Sequence, residues 1–129
     1  MNGRYLLDTN IIIALFAKDP QIHDRIANAE EVFVPCIAVG ELYFGACKSI
    51  KTKENLARID EFALNNTVFV CDTETARKYG AIKTLLREKG QPIPENDIWI
   101  AAIAQQHGLT LVTKDVHFDT IGHLRVEKW

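Results

Sequence analysis

Long apolar runs, paired cysteines and an excess of positive charge are all missing from this 129-residue chain. No apolar stretch approaches the roughly 20 residues of a membrane-spanning helix. Arg4 and Asp8 interrupt the N-terminus, so the sequence predicts no signal peptide. A net charge of −2 excludes the broad basic surface of a nucleic-acid coat or a polybasic membrane binder. Any contact with nucleic acid is therefore expected to be local or brief. Cys36, Cys47 and Cys71 are odd in number and form no CxxC pair, which points to small buried hydrophobes in a reducing cytoplasm. A zinc centre built from them with His23, His107, His117 or His123 lacks ligand spacing. Repeats, low-complexity tracts and Ser/Gly linkers are absent as well, so residues 1–129 are expected to form one soluble domain.

What is present is an alternation of two kinds of segment. Arg4–Leu7, Val32–Val34, Thr67–Cys71, Thr110–Thr113 and Leu124–Glu127 are short, apolar and partly β-branched, as buried parallel strands are. Helical spacing fills the gaps, at Asn10–Ala17, Gln21–Asn28, Ala38–Lys48, Lys53–Asn65, Glu74–Lys89 and Glu95–His107. Strands alternating with helices predict an α/β fold, a parallel sheet covered on both faces. Ligands of such sheets bind beyond the carboxyl ends of the strands, where the strand order reverses. Asp8 and Asp115 directly follow predicted strands.

Four acids stand out by their surroundings. Asp8-Thr9-Asn10 separates two apolar runs, and one helix cap does not need three polar residues. Glu41 is the only side chain charged at neutral pH between Pro35 and Ala46, with Ile37, Ala38 and Gly45 on its helical face. A carboxylate turned inward is expensive unless it is paired or binds a metal. Asn96-Asp97 opens an apolar helix, where an acid also suits the helix dipole, and Asp115 could serve as an ordinary turn residue. Gathered together, four carboxylates repel one another and need a cation to stay ionised. Oxygen donors of this kind suit Mg²⁺ or Mn²⁺, which polarise a phosphodiester and activate water without a histidine.

The ordered set resembles the PIN-domain nucleases, and more narrowly the VapC toxins of prokaryotic toxin–antitoxin pairs. It is carried by strand-Asp8-Thr9-Asn10, Glu41 in an apolar helix, Asn96-Asp97 before Ile98-Trp99-Ile100-Ala101-Ala102, and Leu111-Val112-Thr113-Lys114-Asp115. The match runs over essentially the whole chain. It implies a three-layer α/β/α sandwich and Mg²⁺- or Mn²⁺-dependent endoribonuclease activity. Homodimerisation and inhibition by a small VapB-type antitoxin are implied too. By position, Asp8, Glu41, Asp97 and Asp115 become the catalytic quartet, with Asp8, Asp97 and Asp115 as metal ligands and Asn10, Asn96 and Thr113 in support. Asp119 matches an additional acid of many members.

Because an acid cluster repels phosphate, RNA must be gripped at the rim, for which Lys18, Lys48, Arg77, Lys83, Arg87 and Lys114 are candidates. Tyr43 and Phe44 could stack bases, and Trp99 reads as core. Aspartyl-phosphate enzymes are a poorer match. Haloacid-dehalogenase phosphatases want an acid where Asn10 stands, and Cys71-Asp72 fits a response-regulator receiver badly. The same residues also admit a binding-only PIN-like module or a DNA nuclease. The antitoxin or dimer contact is expected on the helices within Ala38–Asn65.

Overall fold

The computed structural model describes residues 3–129; residues 1 and 2, included in the expected domain, lie outside the described residues. Five strands form one parallel sheet: β1 Arg4–Leu7, β2 Glu31–Pro35, β3 Thr67–Phe69, β4 Thr110–Thr113 and β5 Val126–Lys128. Their spatial order is β3-β2-β1-β4-β5. Six α-helices cover it: α1 Thr9–Phe16, α2 Pro20–Asn28, α3 Cys36–Cys47, α4 Thr52–Leu64, α5 Thr73–Glu88 and α6 Glu95–His107.

The period-2 alternation of β1 decides which helices lie on which face. Leu6 points into a core with Phe33 of β2, Leu111 of β4, and Ile82, Leu86, Ile98 and the run Ile100–Ala104 from α5 and α6. Its neighbours Tyr5 and Leu7 point the other way, against Ile11, Ile12, Ile22, Ala38, Leu42 and Ile59 of α1 to α4. The three-layer α/β/α sandwich expected from the sequence is therefore the observed fold. No helix among the described residues is long and apolar enough to cross a membrane.

From β1 the chain moves to β2 and β3 on one side, and from α6 to β4 and β5 on the other. The strand order thus reverses between β1 and β4, whose Leu7 and Val112 are paired in register. The connections after these two strands diverge and leave a cleft above their carboxyl ends.

Three expectations are corrected. The strand expected over Thr67–Cys71 stops at Phe69, because Phe69 pairs with Pro35, the last residue of β2. Beyond Pro35 the neighbouring chain becomes α3 and offers no ladder. Cys71 is consequently exposed, Cys47 is exposed at the end of α3, and Cys36 is half-buried, so the cysteines are not the core residues expected. Trp99 is likewise half-buried rather than core, its ring stacked on Tyr79 at 4.1 Å.

Candidate metal centre

Asp8 stands between the end of β1 and the start of α1, and the same geometry gives it two roles. As the N-cap of α1 it accepts a hydrogen bond from the Thr9 backbone N–H (2.8 Å), satisfying a free donor of the first turn. Its second oxygen, Oδ2, accepts the Thr113 hydroxyl at 2.7 Å. Thr113 ends β4 and is completely buried, and its Oγ1 also receives the Asp115 backbone N–H at 3.0 Å. Asn10 ties both ends together. Its amide lies 3.3 Å from Asp8 Oδ2 and 3.3 Å from Asp115 Oδ2, while its carbonyl accepts the Lys114 N–H at 3.1 Å.

Asp97 comes from the first turn of α6, whose buried apolar residues fix the helix against the core. Glu41 reaches across from α3 and accepts the Thr9 hydroxyl at 2.9 Å. The half-buried Glu41 thus faces the cleft, not the apolar core that its helical neighbours suggest. All four acids line one cleft of about 620 Å³ together with Thr9, Asn10, Asn96 and His117.

His117 is the residue that the sequence pattern does not single out as a ligand of the acids. It opens a 3-10 turn, His117–Thr120, and brings Nε2 to 2.6 Å from Asp97 Oδ2 and 3.9 Å from Asp115 Oδ2. One donor atom from each of Asp97, Asp115 and His117 lies within 4.8 Å of the others. The signal in the sequence is Asp115-Val116-His117, a histidine two residues beyond a candidate ligand. Its spacing to the cysteines, which does not suit a Cys/His zinc centre, says nothing about its distance from the acids.

The electrostatics follow from this enclosure. Asp8, only 3% exposed, has its carboxyl pushed up to about 6, chiefly by burial. The Thr113 hydroxyl and Thr9 N–H pull the other way, and the charges of Asp97 and Asp115 add to the rise. Asp97 is also raised above the usual carboxylate range by burial, with His117 opposing and Asp115 contributing. No lysine or arginine lines the cleft among the described residues. A concave set of carboxylate oxygens with one imidazole, short of positive charge, has the donor chemistry of a divalent-cation site.

The other expected residues lie elsewhere. Asp119 is not brought in: it is exposed and pairs with Lys128 at 2.9 Å. The candidate rim cations do not line the cleft either. Lys83 is taken by Glu95 and Tyr79, Arg77 by Glu74, and Lys114 by the Trp129 carbonyl. Lys48 sits 4.2 Å above the exposed Phe44 ring, and Tyr43 donates to Asp60. Lys18 is exposed beyond α1. Arg58, not singled out from the sequence, lines an adjoining apolar groove of about 360 Å³ with Ile13, Phe16, Leu42, Gly45 and Ile59. Ile13 and Glu41 border both cavities.

Fold and site together define a doubly wound α/β protein with an acidic centre at its topological switch point. Residues 5–124 match the profile of the PIN domain family. The chain is 40% identical to ribonuclease VapC2 of Haemophilus influenzae, over 98% of each protein. It is 33% identical to the tRNA(fMet)-specific endonuclease VapC of Salmonella typhimurium, again over 98% of each. Its fold is similar to a chain in the crystal structure of DNA-bound VapBC from Salmonella typhimurium. That similarity has a TM-score of 0.91 at 33% identity and covers 100% of this chain and 99% of the other. The chain belongs to the PIN domain family, among its VapC members.

Proposed function

We propose that this protein is a Mg²⁺- or Mn²⁺-dependent endoribonuclease, the VapC-type toxin of a toxin–antitoxin pair. The observation that carries the reading is the convergence of Asp8, Glu41, Asp97 and Asp115 on one cleft, in a chain related to named VapC ribonucleases. Asp8, Asp97 and Asp115 would hold the cation. When bound, it supplies Lewis-acid charge that polarises a phosphodiester and makes water more acidic.

The chain's own residues do the rest. Thr113 and Asn10 fix the Asp8 and Asp115 carboxylates at a constant separation, so no side chain must reorganise when charge develops. Glu41 Oε1 is occupied by the Thr9 hydroxyl. Its other oxygen, Oε2, is left to take a proton from the water that attacks phosphorus as the P–O bond to the leaving oxygen breaks. Asn96, at the cleft rim, offers an amide to the RNA backbone. The same reading treats residues 1–129 as one domain, active in the cytoplasm and forming a homodimer.

The partner is a small VapB-type antitoxin, as in the VapBC complexes among the structural relatives. Its place on this chain is the apolar groove between α1, α3 and α4, which opens onto the acid cleft through Ile13 and Glu41. A segment docked there can cover the acids directly.

The test is expression of wild type beside Asp8→Ala in a host without the antitoxin, followed by incubation of each purified protein with RNA and Mn²⁺. Growth arrest and discrete RNA cleavage by wild type alone are expected. Equal cleavage by Asp8→Ala would remove the site assignment. RNA binding without cleavage by wild type would favour the binding-only module, and cleavage confined to DNA would favour the DNA nuclease.

A further inference from the structure

The cleft holds one side chain that an all-oxygen centre does not require. His117 Nε2 lies 2.6 Å from Asp97 Oδ2 and 3.9 Å from Asp115 Oδ2. Donors about 2.1 Å from an octahedral ion stand about 3 Å apart when adjacent and about 4.2 Å apart when opposite, by the bond lengths typical of such ions. The 3.9 Å between His117 and Asp115 falls in that range, and the 2.6 Å contact to Asp97 is a hydrogen bond that a bound ion would replace.

The hydrogen bond to Asp97 is not what puts the imidazole there. Phe118, the next residue, is completely buried, and the Thr120 hydroxyl holds the His117 carbonyl at 2.9 Å. The His117 ring leans on the Phe118 ring at a centroid distance of 4.9 Å. The 3-10 turn is therefore anchored by core packing and presents Nε2 to the acids. A histidine serving only to neutralise Asp97 could have approached from any side. This one is also within 4 Å of Asp115 and lines the cleft with the quartet.

We propose that His117 is a direct metal ligand and that its nitrogen makes the centre select Mn²⁺ over Mg²⁺. Magnesium is hard, takes oxygen donors and dehydrates reluctantly, whereas a first-row transition ion accepts imidazole readily. Replacing one oxygen position by nitrogen penalises magnesium more than manganese. The inference rests on the metal-dependent reading above and deepens it by naming the ion and its nitrogen ligand.

The experiment uses the metal-free full chain and Mn²⁺ alone, with no RNA. Electron spin-echo spectroscopy of the Mn²⁺-loaded wild type should show modulation from one directly bound ¹⁴N. That modulation should vanish in His117→Gln while Mn²⁺ still binds. Titrations of both ions should show Mn²⁺ affinity falling about tenfold or more in His117→Gln, with Mg²⁺ affinity changing less. Bound Mn²⁺ without ¹⁴N modulation in wild type overturns the inference whatever becomes of the variant, and leaves the acid centre standing. Equal losses for both ions also overturn it, reducing His117 to a positioning residue for Asp97. Wild type that binds neither ion, or an Asp97→Asn variant that binds both as tightly as wild type, would instead remove the centre itself and the inference with it.

Discussion

At Asp8, folding and chemistry make opposite demands. Burial raises its carboxyl from the ordinary 3.8 to about 6, so the folded protein holds that proton more tightly than the unfolded chain does. The metal-free protein gains stability from Asp8 below pH 3.8 and loses it as pH rises through about 6. The difference between the two values amounts to about 3 kcal/mol. In chemical denaturation without metal, wild type should therefore lose about 3 kcal/mol relative to Asp8→Asn between pH 3.5 and pH 7. A pH-independent difference would mean that Asp8 is not buried as a carboxylate. Asp8 and Thr113 also differ in how far they can be read in the sequence. Asp8 stands out between two apolar runs, whereas Thr113 looks like any β-branched strand residue and is marked in the sequence only by the family resemblance. Only the pairing of β1 with β4 reveals that its hydroxyl ends on Asp8.

At the scale of elements, α3 serves two cavities at once. Leu42 packs into the core, Glu41 borders the cleft, and Gly45 lines the groove with Arg58 and Ile59 of α4. A Cβ built on Gly45 meets nothing within 4 Å, so the position is open to larger side chains. Gly45→Leu should raise helix stability by about 0.5–1 kcal/mol, since glycine is a poor helix former. The leucine should fill the groove and weaken VapB-type antitoxin binding at least tenfold, about 1.4 kcal/mol, while leaving RNA cleavage unchanged. Calorimetric titration with the antitoxin, together with thermal unfolding, checks both halves. Undiminished binding would move the partner off this groove. Element types and order were legible because hydrophobic period is a local property. The end of β3 was not, because it is set by where β2 stops.

For the whole molecule, the proposed metal centre is expected to couple cation binding to folding. A cation that binds only the native state stabilises it by about 2.7 kcal/mol at 100 times its dissociation constant. For a chain of this size that corresponds to a rise of about 10 °C in Tm. Thermal unfolding with and without Mn²⁺ should show this rise for wild type and little or none for Asp97→Asn. The same variant should melt higher than wild type in the absence of metal, because one of the repelling charges is gone. A wild-type Tm indifferent to Mn²⁺ would separate the acids from any metal role.

The sequence by itself determined the fold class, the alternation of strands and helices, and the four acids worth gathering. Those features are written in hydrophobic period and in polar residues that interrupt apolar runs. Only the tertiary structure decided that β1 and β4 lie side by side, that Asp119 stands outside the cleft paired with Lys128, and that His117 enters it. Strand order and the path of a short turn depend on contacts between residues far apart in the chain. His117 is brought to Asp97 by the burial of Phe118, and such packing leaves no periodic trace along the sequence.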